Sequence, residues 1–519
     1  MLAIAVSKTP DPRDGWNLYW TYAIPGQESC PNNVCKVGLH KVGAESDYLS
    51  MGITSKYLVL ECRCGWLDVA DYDFKTDKEP FSTFTRTITA IQIDPLPTDK
   101  QKLAAVYQTD STKPLTTLDD VEVDTGAVIQ PAVQHAPDVP GQPVLLASKW
   151  VDGKREESDP LKYNVLIWAL DFGAGEPAIY QQAVPVRKFL NVDSALPQRP
   201  HPDFGSSATP TLKDAYNWVN KLVYRKGSLY LTFGECGVWK KAAEPHCQLS
   251  ALRFLRLQLK GIVKKQGKID KLFVEVAVDR KFGGRNVLDP PGKLAWYSFP
   301  SVEANKNGDA ALVYHRSADW LYTQARYSVH FLKEKDIRPS RPLAPGTYTL
   351  GTGEKADWHH YVGMSVDGFD DTGIWMITGY AVKQQKKWGI WAYAIGKVLG
   401  KPYVDLSLAP VTLVRARTAS DNAEHVLSVR LANTGDRRAA PTSARLALSR
   451  DTKSGDDLPL ENVRIPALAP GRKQTIDLKF AIPTNAQARG YRYLVITLDA
   501  TRKVTEYSES NNTSYVRLP

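Results

Sequence analysis

Apolar stretches of strand length alternate with polar turns along most of the chain. One unit recurs five times: an apolar stretch, a turn rich in Gly, Asn, Asp, Lys or Ser, and a second apolar stretch. The copies are DYLSMGITSKYLVLE from Asp47, IQPAVQHAPDVPGQPVLLASKW from Ile129, YNWVNKLVYRKGSLYLTF from Tyr216, WYSFPSVEANKNGDAALVY from Trp296 and DWHHYVGMSVDGFDDTGIWMITGY from Asp357. Because this is the pattern of a β-hairpin, the recurrence predicts a repeated β architecture.

Further strand-like stretches follow the hairpins. They are YNVLIWALDF from Tyr163, LSALRFLRLQL from Leu249, YTQARYSVHFL from Tyr322 and KKWGIWAYAIGKV from Lys386. A hairpin with outer strands makes a four-stranded antiparallel sheet, and such sheets repeated around an axis make a β-propeller. The N-terminal LAIAVSKT and WNLYWTYAI read as outer strands of a first blade that is incomplete. We therefore predict a propeller of about six blades, with seven as the alternative.

The pattern changes around Gly400–Pro410. The remaining stretch contains no Trp and no Cys, and it alternates cleanly in HVLSVRLANTG, SARLALSRD, QTIDLKFAIP, RYLVITLDA and TSYVRLP. Short strands at regular spacing with polar turns are typical of a β-sandwich. The sequence thus predicts an all-β protein, with a propeller at residues 1–400 and an immunoglobulin-like sandwich at residues 401–519.

Two resemblances refine this division. The C-terminal stretch carries Asn433-Thr434-Gly435, LAPG at 468–471 and ESNNT at 509–513, and it resembles the CARDB domain, an immunoglobulin-like module of bacterial exported proteins. The larger part carries AVSKTPDPRDGWNLY, DYLSMGITSKYLVLE and the late MSVDG, GIWMITGY and WGIWAYAIG, and it resembles the sialidase-like propellers of secreted bacterial proteins. The resemblances imply a secreted or cell-surface bacterial protein, exported through a signal sequence absent from this chain.

Charge and hydropathy exclude few classes of binding partner. The formal net charge of +10 arises from 66 basic and 56 acidic residues mixed along the chain, which is typical of a solvated surface and gives no specific nucleic-acid signal. No apolar run is long enough to predict a membrane span. A polysaccharide or a surface protein remains as the expected partner, and the sequence does not indicate an oligomeric state.

The cysteines predict disulfides. There are six of them, at Cys30, Cys35, Cys62, Cys64, Cys236 and Cys247. An even number with local clustering suits disulfides, and Cys236 and Cys247 would close one short loop. A zinc site made by the other four thiolates is the competing interpretation, but their C-x-C spacing is not the usual C-x-x-C. We therefore expect disulfides of open connectivity among those four, no metal and no cofactor.

Candidate catalytic residues come from the starts and ends of predicted inner strands. A propeller lyase could use His or Tyr to remove a proton beside a uronate carboxylate and Arg to neutralise it, so we select His359, Tyr361, His315 and Arg316. The competing interpretation, which we favour, is that such residues pack between blades. If one strand includes His359 and His360, alternation places them on opposite faces, and they cannot share a metal ion. Sialidase chemistry is not supported, because DDTGIW lacks the Thr that precedes Trp in that family's repeated box.

Tryptophans offer a second kind of site. Trp358, Trp388 and Trp391 could stack on sugar rings, although packing between sheets is the commoner role of such residues. The sequence therefore favours a binding, adhesion or assembly protein. One alternative is a propeller polysaccharide lyase or glycosidase that acts on an acidic glycan. Another is a subunit of an extracellular filament or sheath that assembles through an exposed strand edge.

Overall fold

The computed structural model describes the greater part of the chain. The described residues are 2–7, 16–21, 34–37, 40–68, 81–94, 101–103, 105–108, 128–135, 142–151, 155–156, 158–173, 177–190, 196–200, 211–212, 218–237, 249–284, 289–290, 293–350, 362–368, 370–384, 387–400, 404, 406–408, 412–416, 424–433, 437–452, 457–469, 472–483, 490–506 and 512–518. They form two compact units, Met1–Leu399 and Gly400–Pro519. All regular elements among these residues are β-strands, as the sequence predicts. A search of the same residues for a helix long and apolar enough to cross a membrane finds none.

The strands of the first unit follow one another as β1 (Leu2–Ser7), β2 (Trp16–Thr21), β3 (Val34–Val37), β4 (His40–Ile53), β5 (Tyr57–Asp68), β6 (Phe81–Gln92), β7 (Gln101–Lys102), β8 (Ala105–Gln108), β9 (Gln130–Gln134), β10 (Val144–Val151), β11 (Tyr163–Asp171), β12 (Ala178–Pro185), β13 (Leu196–Pro197), β14 (Thr211–Leu212), β15 (Val219–Arg225), β16 (Ser228–Cys236), β17 (Ser250–Lys265), β18 (Lys268–Phe282), β19 (Trp296–Ala304), β20 (Ala310–Ala318), β21 (Leu321–His330), β22 (Arg341–Ala344), β23 (Gly363–Val366), β24 (Gly373–Gln384) and β25 (Lys387–Leu399).

The five predicted hairpins are confirmed. They are β4–β5, β9–β10, β15–β16, β19–β20 and β23–β24, and each pair is antiparallel. Outer strands extend them in chain order, so that β9–β12, β15–β18 and β19–β22 each form four consecutive antiparallel strands, while β23–β25 form three. Strands β1, β2 and β7 form a separate three-stranded sheet.

The first strands of the five hairpins, which we call the inner strands, are neighbours. Strand β9 pairs in parallel with β4 and with β15, with Ala132 opposite Leu222 and Gln134 opposite Tyr224. Strand β19 contacts β15, and β23 contacts β19. Side chains of residues far apart in sequence therefore meet along the inner strands.

Successive sheets pack face to face, which explains why their middle strands read as continuous apolar runs. Strands β11, β16 and β20 are buried at every position. On β17, Leu255 faces a core cluster shared with the β9–β12 sheet, and Phe254 faces a cluster shared with the β19–β22 sheet. Each fully buried side chain of this size contributes about 1.5–3 kcal/mol relative to exposure.

The second unit contains two four-stranded sheets. Its strands are β26 (Leu406–Leu408), β27 (Thr412–Ala416), β28 (Glu424–Asn433), β29 (Thr442–Ser449), β30 (Leu458–Ile465), β31 (Lys473–Ala481), β32 (Tyr493–Leu498) and β33 (Thr513–Arg517). One sheet contains β26, β27, β28 and β31, and the other has the order β30-β29-β32-β33. A single apolar cluster, including Leu427, Leu446 and Ile496, draws residues from both sheets.

The Asn-Thr-Gly feature of the second unit has a structural role at its asparagine. The Asn433 side-chain amide donates to the carbonyl oxygens of Arg437 at 2.8 Å and Leu468 at 3.1 Å. Leu468 also exchanges two main-chain hydrogen bonds with Ala439. The Asn433 side chain therefore connects the segment after β28 to the LAPG segment, which begins at Leu468, by hydrogen bonds.

Candidate functional site

A carboxylate lies at the meeting point of the inner strands. Glu303, at the end of β19, has a side chain that is only 1% exposed. Lys221 of β15 donates from Nζ to Glu303 Oε2 at 2.7 Å, and His135 Nε2, just after β9, lies 2.9 Å from Oε1. Lys221 Nζ also donates to the Met364 carbonyl of β23 at 2.5 Å. We call His135, Lys221 and Glu303 the central cluster; with Met364 it links four of the five inner strands.

The electrostatics of the central cluster keep Glu303 ionised. Burial raises the pKa of Glu303, but the Lys221 charge and the His135 hydrogen bond outweigh burial and leave the pKa below its ordinary value. The Ala304 main-chain N–H also donates to Oε1, at 3.0 Å. Three donors thus hold the carboxylate. Glu303 therefore acts as an ionised hydrogen-bond acceptor and does not serve as a proton donor.

Two sequence-selected residues lie on β20 and are buried. The His315 ring packs between Phe299 of β19 and Trp391 of β25, with ring centroids 5.9 Å and 5.2 Å away. The structure therefore brings His315 together with the sugar-stacking candidate Trp391 in a contact between neighbouring sheets. This packing agrees with the interpretation favoured from the sequence, and a catalytic role for His315 stays an untested prediction.

Arg316 has a different environment. Its guanidinium forms an ion pair with Asp289 and lies over the rings of Tyr297 and Trp320, with centroids 5.4 Å and 5.8 Å from Cζ. The Trp320 Nε1–H donates to the Leu294 carbonyl at 2.8 Å. The contacts of Arg316 are therefore with residues of its own sheet and of the segment before β19. The structure does not bring Arg316 together with His315, the preceding residue on the strand. Its catalytic role also remains a prediction.

The other selected residues cannot be placed. Trp358, His359 and Tyr361 lie outside the described residues, and the side chain of Trp388 in β25 lies outside the described part of that strand. Cys236, at the end of β16, is disulfide-bonded. The remaining cysteines, whose side chains are not among those described, are Cys30, Cys35, Cys62, Cys64 and Cys247. The pairing of Cys236 with Cys247 stays a prediction.

A cavity of about 640 Å³ lies where the β9–β12 sheet meets β18. Its walls come from the turn before β11, the end of β12 with the segment after it, and the second half of β18. The lining residues are Ser158, Asp159, Pro160, Tyr163, Pro185, Val186, Arg187, Lys188, Val276, Ala277, Asp279 and Arg280. None of these residues is among the candidates selected from the sequence, although the RK pair after the apolar AVPV indicates exposed charge.

Beneath this cavity lies a buried ion network. Arg253 of β17 is 2% exposed and lies diagonally across from Glu235 of β16 and Asp279 of β18, both of which are also buried. Its guanidinium donates to Glu235 Oε2 at 3.0 Å and to Asp279 Oδ2 at 2.8 Å. Burial raises the pKa of Glu235 against the opposing effect of Arg253. A charged residue inside the apolar run LRFLRLQL was the only sequence sign of this network.

Among the described residues, no cluster of His, Cys, Asp and Glu side chains has an arrangement that could hold a metal ion.

Comparison with known proteins identifies one part of the chain. The CARDB family model matches residues 404–516, so a CARDB domain is found where the sequence motifs predicted it. No curated protein matches the chain.

Many solved structures are similar to the chain, and three of them, which match most of it, are similar only weakly. A crystal structure of a GH43_12 protein from a capybara gut metagenome is 11% identical, with a TM-score of 0.23, over 87% of this chain and 84% of that one. The Trypanosoma rangeli sialidase with the inhibitor DANA is 7% identical, with a TM-score of 0.26, over 92% and 89%. A mutant of the GH43 protein BlXynB from Bacillus licheniformis is 10% identical, with a TM-score of 0.18, over 91% and 96%. At such TM-scores the likenesses decide neither the fold nor the activity.

Proposed function

We propose that this protein is a binding scaffold of a bacterial cell surface or extracellular matrix. In this proposal the first unit is a β-propeller that supplies the recognition surface, and the CARDB unit is an immunoglobulin-like spacer or assembly module. The expected partner is a polysaccharide or a surface protein.

The observation that carries the proposal is the state of Glu303. A glycosidase needs a carboxylic acid that still holds its proton near neutral pH and can reach the leaving-group oxygen. Glu303 lies at the junction of the inner strands, and its lowered pKa and three donors keep it ionised, so it does not fit the role of the acid. A glycosidase also needs an ionised carboxylate that reaches the sugar, and Glu303 is only 1% exposed, so it does not fit that role either. A carboxylate in this state joins strands of separate hairpins, which favours a structural role over proton transfer.

The test compares turnover with binding in the full-length protein. Neutral and uronic-acid polysaccharides are incubated with the wild type, and new reducing ends and the ultraviolet absorbance of unsaturated uronates are followed. We expect no turnover, and we expect retention of the protein on at least one insoluble polysaccharide or cell-wall preparation. Glu303→Gln, His359→Ala and Tyr361→Phe should then alter stability more than retention. Turnover by the wild type that one of these variants abolishes would establish the enzymatic alternative.

A further inference from the structure

The 640 Å³ cavity beside β18 carries an arginine that the fold does not use. Arg187 is exposed, and its guanidinium makes no ion pair with any residue in the described part of the chain. The carboxylates of the cavity have cations of their own: Asp159 accepts from Arg155 at 2.7 Å, and Asp279 from the buried Arg253 at 2.8 Å. The Arg187 side chain is therefore available to a negatively charged group that enters from solvent.

The main chain beside Arg187 is fixed from below. The buried Arg253 donates to the carbonyl oxygens of Arg187 at 2.9 Å and Lys188 at 3.2 Å, and the Arg187 main-chain N–H donates to Asp279 Oδ2 at 3.1 Å. Because these contacts use only main-chain atoms of Arg187 and Lys188, they fix the backbone of this part of the cavity rim independently of the conformations of the two side chains. Such preorganisation lowers the entropy cost of binding.

The cavity combines charged side chains at its rim with apolar residues in its walls. Lys188 Nζ lies 5.7 Å from the centroid of the Tyr163 ring, and Arg280, which also lines the cavity, pairs with the exposed Asp336 at 2.8 Å. The apolar part of the wall consists of prolines and small aliphatic residues, namely Pro160, Pro185, Val186, Val276 and Ala277. The volume falls within the usual range for small-molecule sites, about 300–1,000 Å³.

We propose that this cavity binds a saccharide through its carboxylate, with the Arg187 guanidinium as the main contact and Lys188 beside it. This inference rests on the proposed binding function and names the ligand class. A guanidinium offers two parallel N–H donors that match the two oxygens of a carboxylate. A sugar ring has an apolar face for the aliphatic wall and hydroxyls for the polar rim, and an acidic sugar combines all three features in one unit.

The test is calorimetric titration of the full-length protein with a trimer of galacturonic acid and, for comparison, the neutral trimer of galactose. We expect binding of the acidic trimer only. Arg187→Ala should weaken it about tenfold or more, because hydrogen bonds to a charged group are the strong ones. Arg187→Lys should weaken it less, since the charge remains without the paired donors. The thermal unfolding midpoint should not move, because alanine keeps the main-chain contacts to Arg253 and Asp279.

The matched control is Arg430→Ala, which removes an exposed arginine from β28 in the other unit. It should bind the acidic trimer like the wild type. Equal binding of both trimers, no binding of either, or equal losses in Arg187→Ala and Arg430→Ala would overturn the inference and leave the scaffold proposal standing. Cleavage of a trimer in a reaction that requires Glu303 would instead overturn the scaffold proposal.

Discussion

Glu303 illustrates how one buried side chain affects the pH dependence of stability. Its pKa in the folded protein lies below the ordinary value of 4.5. A depressed carboxylate pKa stabilises the folded state above the unfolded-state pKa, and this contribution disappears as the pH falls through the folded-state pKa. The central cluster is therefore a source of acid sensitivity in the first unit.

We predict that Glu303→Gln lowers the free energy of unfolding by about 3 kcal/mol at neutral pH, since it leaves the Lys221 ammonium without its buried counter-charge. The deficit should shrink as the pH falls below 4.5, because the wild type then loses the same contribution. Urea unfolding followed by intrinsic fluorescence at several pH values measures this. Glu275→Gln, at an exposed ion pair with Lys260, is the control and should follow the wild type at every pH. A deficit that is independent of pH would contradict the role given to Glu303.

Residue identities alone did not reveal the two buried networks. Arg253 could be recognised as unusual, because it stands in an apolar strand, and a buried charge requires partners. Its partners could not be identified, since Glu235 and Asp279 become its neighbours only through the pairing of β16, β17 and β18. For the central cluster the partners come from different hairpins, and no spacing in the sequence joins His135 to Glu303.

At the scale of elements, turn chemistry determines where hairpins close. The β15–β16 turn is Lys226-Gly227 and the β17–β18 turn is Gln266-Gly267, and all four residues have positive φ, between 48° and 78°. Two-residue turns with positive φ at both positions match the twist of antiparallel strands, and glycine at the second position adopts this conformation without strain. The polar Lys-Gly step was therefore a reliable sequence signal for this hairpin.

We predict that Gly227→Ala lowers the free energy of unfolding by about 1 kcal/mol through backbone strain alone. No atom would clash, because an added Cβ would meet only the Leu259 carbonyl oxygen at 3.7 Å. Gly227→Asn should cost less, as asparagine tolerates this conformation. The control Gly368→Ala has no neighbour within 4 Å and should be neutral when all three are compared by denaturant unfolding. Equal stability of Gly227→Ala and wild type would contradict the strain argument.

At the scale of the whole molecule, the sequence predicted local structure better than its assembly. The hairpins and most outer strands follow from alternation and turn residues, which are local signals. The parallel pairing of β9 with β4 and β15 joins residues that are 80 positions apart, as for Val133 and Ile53, or 90 positions apart, as for Ala132 and Leu222. Nothing in the local pattern specifies such pairs, so the order of the sheets could be proposed only from the recurrence of the unit.

We predict that residues 400–519 fold without the rest of the chain. Their apolar cluster draws every buried member, from Val404 to Leu518, from the second unit itself. The isolated fragment should show a β-type circular dichroism spectrum and a single cooperative thermal transition. Within it, Leu446→Ala should lower the free energy of unfolding by about 2–5 kcal/mol, because Leu446 is fully buried. A fragment that lacks a cooperative transition would show that the cluster is insufficient.

The way Arg253 holds the cavity rim has a consequence for divergence and design. It binds main-chain oxygens of Arg187 and Lys188, so the contacts that fix the rim do not use the Arg187 side chain. Evolution or an engineer can therefore exchange Arg187 without disturbing the walls. Replacing Arg187 by glutamate would reverse the charge at this point of the rim and favour amino sugars over acidic ones, so that one framework serves opposite ligand chemistries.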